Sequence, residues 1–175
     1  MAFADKVETT IPMPLLPVSI NLKWKVLDIL DEKEAAPESC EQWQKLPSDT
    51  VKILKFVSKD TSLLPLRRIQ AIRALTCFKQ EETFRSLKAL LTTHDRHSAL
   101  VHRECLKTLV YAFGERAIGS LSHFLNSPDY LLRETSIELL ARFTSDSALT
   151  ALKQRLAVET EPSLVHKLTK IVGDK

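Results

Sequence analysis

The sequence predicts an all-α chain, a solenoid of about four antiparallel helix pairs behind an N-terminal helical cap. Two columns of recurring apolar residues carry that reading. Leu54, Leu87, Leu121 and Leu152 are separated by 33, 34 and 31 residues, and Leu75, Leu109, Leu140 and Ile171 by 34, 31 and 31. Two independent columns with one period mark a repeated supersecondary unit. Composition agrees: apolar residues make up 44% and charged residues 27%, with leucine, alanine, lysine, arginine and glutamate outweighing the 6% of aromatics. That balance favours helix over strand.

From the N-terminus, residues 1–18 carry Pro12, Pro14 and Pro17 with no helical period, and read as an extended arm with the apolar run IPMPLLPV. Residues 19–47 form the cap. NLKWKVLDILDEKE (21–34) is an amphipathic helix and PESCEQWQKL (37–46) a short one opened by Pro37, with Trp24 or Trp43 covering the first repeat.

Residues 48–175 hold the repeats. The first helices are TVKILKFVS, TFRSLKALL, AIGSLSHFL and ALTALKQRL; in the last three, apolar residues at offsets of three and then four (Phe84, Leu87, Leu91 and their equivalents) mark one helical face. The second helices are LRRIQAIRALTCF (66–78), ALVHRECLKTLVYAF (99–113), YLLRETSIELLARF (130–143) and PSLVHKLTKIV (162–172). Ala71, Cys105 and Ser136 align as small residues where helices approach closely, and Lys167 breaks that column, as suits a terminal unit whose outer face meets water. Ser48 and Asp49, Asp129, and the Glu161-Pro162 pair supply helix starts, and Gly114 a helix stop, at the cuts the period requires.

Several function classes are disfavoured. Gly114, Gly119 and Gly173 are the only glycines, too few for a phosphate-cradling loop. No stretch approaches the roughly 20 apolar residues of a membrane span, and Asp5, Glu8 and the early prolines do not suit a signal peptide. A cytoplasmic chain with no membrane contact is expected. Cys40, Cys77 and Cys105 are odd in number and far apart, and read as buried free thiols. No GxSxG, HExxH or P-loop motif occurs, so no catalytic residue and no cofactor is expected. His94, His97 and His102 cluster near Asp95 and Glu104, but their spacing is not that of a closed metal site.

The repeats resemble HEAT repeats, in particular the short bacterial kind named after phycobilisome lyases. LNSPDYLLRETSIELL (125–140) matches best, with Leu132 and Arg133 in the places of the family's Val-Arg pair. RRIQAIRAL keeps Arg68 and ends in Ala74 and Leu75, while VHRECLKTL has His102 in place of the arginine. The resemblance spans residues 50–172. It implies a right-handed α-solenoid with first helices on the convex side and second helices on the concave side. The His-Glu dipeptides with which some HEAT-like enzymes bind iron are absent.

Charge directs attention to the second helices. Residues 66–107 hold 9 basic and 4 acidic side chains, and residues 1–45 hold 5 basic and 8 acidic. In register, Arg68, His102 and Arg133 form one exposed column, and Arg73, Lys107 and Glu138 another, with Arg67 and Arg103 nearby. Arginines of the first column suit pairing with acids of the preceding turn, Asp60, Asp95 or Asp129. The expected function is a non-catalytic protein-interaction scaffold that takes an acidic segment or helix of another protein on the basic second-helix face. The alternatives are nucleic-acid binding through the same strip, and a lyase-like or chaperone-like action on a tetrapyrrole protein.

Overall fold

The computed structural model describes residues 18–31, 40–95 and 97–174. The arm expected over 1–18 lies outside them except for its last residue, as do residues 32–34 of the first capping helix and Pro37 of the second. Among the described residues every regular element is helical: α1 (Val18–Asp31), α2 (Glu41–Gln44), α3 (Thr50–Lys59), α4 (Pro65–Ala74), α5 (Glu81–Leu90), α6 (Ser98–Phe113), α7 (Ile118–Phe124), α8 (Tyr130–Leu140), α9 (Asp146–Leu156) and α10 (Pro162–Gly173). Short 3-10 turns follow α4 at Leu75–Cys77 and precede α7 at Gly114–Ala117.

The helices pack two by two, α3 on α4, α5 on α6, α7 on α8 and α9 on α10. Between pairs, α4 packs on α6 and α6 on α8, α3 meets α5 and α7 meets α9, and α1 lies against α3 and α4. The recurring columns are what these contacts bury. Leu54, Leu87, Leu121 and Leu152 are fully shielded, as are Leu75, Leu109 and Leu140, while Ile171 on the last helix is partly covered. Burying each leucine contributes about 1.5–3 kcal/mol relative to exposure. Ala71, Cys105 and Ser136 are also fully buried, which fits close approach of neighbouring second helices.

Punctuation follows the sequence. The Asp129 carboxylate accepts the Leu132 N–H at 2.9 Å and caps α8, Pro65 and Pro162 occupy the first turns of α4 and α10, and Gly114 ends α6 at φ +58°, a conformation that favours glycine. Of the two tryptophans, Trp43 is buried at 2% exposure and Trp24 stands out at 60%, so Trp43 is the one that joins the core.

Two expectations are corrected. Cys40 and Cys77 are not free thiols but form a disulfide, with Cα atoms 5.4 Å apart; only Cys105 is free and buried. Lys167 does not face water away from the stack: it reaches back from α10 to Glu134 at 2.7 Å and Glu138 at 2.6 Å on α8.

The turn between α9 and α10 is organised by Glu159, whose side chain is fully buried. Its Oε2 accepts from Arg155 at 2.9 Å and Arg133 at 3.2 Å, and its Oε1 from the backbone N–H of Thr160 and Glu161 at 3.1 Å. Burial alone would raise its carboxyl pKa, but the Glu161 N–H and the two guanidinium groups hold it below the ordinary glutamate value. Removing one partner of a buried ion pair strands the others. Glu159→Ala is therefore expected to cost about 3–5 kcal/mol in urea unfolding, and Glu159→Gln, which keeps the shape and one of the two acceptor oxygens, somewhat less.

Candidate functional site

On α6, the residues Leu100, Arg103, Glu104, Lys107 and Tyr111 follow one another at offsets of 3, 4, 7 and 11 from the first, so they share one stripe. The same offsets give Leu66, Ile69, Gln70 and Arg73 on α4, and Leu131, Glu134, Thr135 and Glu138 on α8 with Arg142 just beyond it. Side-chain bonds link these stripes laterally. Arg73 donates to both oxygens of Glu104, at 2.8 and 3.2 Å. Arg103 donates to the Thr135 hydroxyl at 3.2 Å, and beneath the stripes the buried Thr108 hydroxyl donates to the Ile72 carbonyl at 3.4 Å. Lys167 continues the linkage from α10 to α8.

Arg67, Arg73, Arg103 and Lys107 lie on this face partly exposed, but their charges differ in how far they are spent. Arg67 is held by the Asp31 carboxylate of α1, with Nε at 2.9 Å, and Arg73 by Glu104. Among the described residues Arg103 has only a neutral hydroxyl as its hydrogen-bond partner. Lys107 forms no ion pair among the described residues.

The column of Arg68, His102 and Arg133 is not exposed, contrary to expectation. Arg68 is 1% exposed, and donates from Nε to the Ser58 carbonyl at 3.2 Å and from Nη1 to Asp95 at 2.9 Å, while its buried Nη2 has no hydrogen-bond partner among the described residues. Arg133 donates to the Ser127 and Pro128 carbonyls and to Glu159. The acids they use, Asp95 and Glu159, lie in the turn of the following unit instead of the preceding one, and Asp129 is taken up as the cap of α8. Burial would raise the Asp95 carboxyl, but the His97 N–H and the Arg68 guanidinium hold it below the ordinary aspartate value.

His102 is buried, with Nε2 2.9 Å from the Thr93 carbonyl. A carbonyl only accepts, so the proton sits on Nε2. The ring meets Phe124 edge-to-face at 5.4 Å and His94 at 6.4 Å. A cavity of about 600 Å³ opens beside it, lined in part by His94, His123, Phe124, Asp129 and Leu132. His94 directs Nδ1 to the Thr92 carbonyl at 2.9 Å. Among the described residues no three His, Cys, Asp or Glu side chains are placed to hold one metal ion.

The feature that sequence reasoning missed is apolar. Leu66, Leu100 and Leu131 are 61%, 46% and 44% exposed, stand at equivalent places on α4, α6 and α8, and are spaced 34 and 31 residues apart. Tyr111 is also exposed, with the Arg142 guanidinium 4.9 Å from its ring centroid. The second-helix face thus carries a leucine row at the N-terminal ends of its helices, bonded charges at its middle, and an aromatic-cation pair at the other edge.

No family model matches the chain, and no curated protein matches it. Among solved structures, the crystal structure of an engineered protein, a Northeast Structural Genomics Consortium target, aligns with 16% identity and a TM-score of 0.44 over 87% of this chain and 77% of that one. A resemblance of that size carries no inference about this chain.

Burial pushes the His102 pKa below the ordinary histidine value, against the opposing pull of the Thr93 carbonyl. The unfolded chain therefore binds this proton more readily than the folded one. The stability contributed by neutral His102 is present above about pH 6.5 and is lost as pH falls through the lower folded value. Urea unfolding at pH 7.5 and pH 5.0 should show wild type losing stability on acidification, with a smaller loss in His102→Gln.

Proposed function

We propose that this chain is a non-catalytic interaction scaffold, a short HEAT-like solenoid whose concave second-helix face takes an acidic, amphipathic segment of another protein. The observation that carries the reading is the leucine row of Leu66, Leu100 and Leu131 beside Arg103 and Lys107, cations that no carboxylate of the described residues neutralises. Exposed apolar side chains in one row offer a partner surface to bury, and unspent cations beside them select a partner that brings carboxylates. Neighbouring helix axes lie about 8–10 Å apart, close to the roughly 10.5 Å between residues i and i+7 of a helix. A partner helix lying across α4, α6 and α8 with apolar residues at heptad spacing would meet the three leucines in turn.

A second reading has a different place. The groove between α3 and α5 is lined by Lys52, Lys55, Lys59 and Arg85 against Glu82, with Phe56 56% exposed among them. Cations around an exposed ring suit a single-stranded nucleic acid, and such binding would fall steeply with salt.

Crosslinking of tagged chain in cells of its source separates the two. Partners lost on Arg103→Glu with Lys107→Glu, or on Leu100→Ser with Leu131→Ser, but kept on Lys52→Glu with Lys59→Glu, support the scaffold reading. These side chains are exposed or half-exposed, so folding stability should change by less than about 0.5 kcal/mol for each exposed leucine, while affinity for a protein partner should fall about tenfold or more. Retention of every partner by both second-helix variants would rule the reading out.

A further inference from the structure

The Cys40–Cys77 bond joins the residue just before α2 to the turn that ends α4, across 37 residues of chain. Helix α2 has four residues, far fewer than a helix needs to persist alone. Among the described residues no other helix packs extensively on it. Helix α2 is therefore seated chiefly, among those residues, by the Trp43 side chain in the core and by the disulfide three residues before Trp43, with Leu46 packed on the core just after it.

We propose that Cys40–Cys77 is a redox-modification site, a latch opened by a low-molecular-weight thiol, that sets whether α2 is seated on the helical stack. Both cysteines are partly exposed, so a small thiol reaches them. The thiolate of the small molecule attacks one sulfur of the bond; the S–S bond breaks, a mixed disulfide forms, and the other cysteine leaves as a thiolate. A second small thiol resolves the mixed disulfide. The chain gains two electrons and two protons, and two small thiols become one small disulfide. Cys105 stays out of the exchange because it is fully buried, and burial keeps its thiol protonated. With the bond open, α2 loses one of its anchors and leaves the stack more readily, and each time it does so the Trp43 indole meets water. The latch is independent of the second-helix reading, and its test uses no partner.

Chain purified without reductant, treated with oxidised glutathione and alkylated in denaturant, should yield one thiol, that of Cys105; after reduced glutathione it should yield three. Trp24→Phe leaves Trp43 as the sole tryptophan. Its emission should shift to the red on reduction and return on reoxidation, and the added Cys40→Ser and Cys77→Ser changes should hold it red-shifted and unresponsive. Should Trp24→Phe fail to fold, acrylamide quenching of wild type serves instead: Trp24 is already exposed, so added quenching on reduction reports Trp43. Three thiols in the oxidised sample would overturn the proposal. So would complete reduction with Trp43 emission and quenching unchanged, or a response that survives in the double serine variant.

Discussion

The arrangement of the second-helix face rests on one electrostatic constraint, that a guanidinium group taken out of water must meet an acceptor. Arg68 and Arg133 point between units, where an unpaired cation would cost several kcal/mol. Each is met by a carboxylate in the next unit's turn, Asp95 at 2.9 Å and Glu159 at 3.2 Å. Those turns are consequently tied to α4 and α8, the second helices of the preceding pairs, and Arg68 and Arg133 are withdrawn from any partner. Arg67 and Arg73 remain near the surface but are committed to Asp31 and Glu104. What is left over, Arg103 and Lys107, is therefore decided by how the buried and lateral pairs are made.

The helix pairs were legible in the sequence because burial acts on a repeating geometry. Each unit has to cover one stripe of its first helix and one of its second, so selection of leucine at Leu54, Leu87 and Leu121 leaves a period that can be counted. Capping was legible for a local reason, since Asp129 and Gly114 act on residues within one turn of themselves. The arginine pairings were not, because Arg68 meets an acid 27 residues downstream and several acids lay within plausible reach. The disulfide was hidden in the same way: Cys40 precedes α2, an element outside the repeat, and no period says where such an element docks.

The leucine row was hidden differently. In a helical pattern an exposed leucine looks the same as a buried one, and Leu66 sits beside Arg67 and Arg68, whose charge dominates that stretch. A third apolar column with the spacing of the first two was the available signal. Spacing alone could not separate it from the core, because Ile72, Leu106 and Ile137 repeat at the same 34 and 31 residues and are fully buried; only packing tells the two columns apart. His102, by contrast, looked like a surface residue from its register with Arg68 and Arg133, because the register is right but the column faces inward.

The lateral bonds on this face join nearest neighbours, and most are charged or polar, whereas the row above them is hydrocarbon. Ionic strength acts on the two in opposite senses. Added salt partly screens pairs such as Arg73 with Glu104, whose guanidinium reaches water while its carboxylate is buried, and strongly hydrated salts favour burial of apolar surface. The same ionic change that loosens the joints between α4, α6 and α8 thus makes Leu66, Leu100 and Leu131 more adhesive. Ion concentration becomes a control on how compliant this surface is and how readily it sticks, with no change in covalent structure.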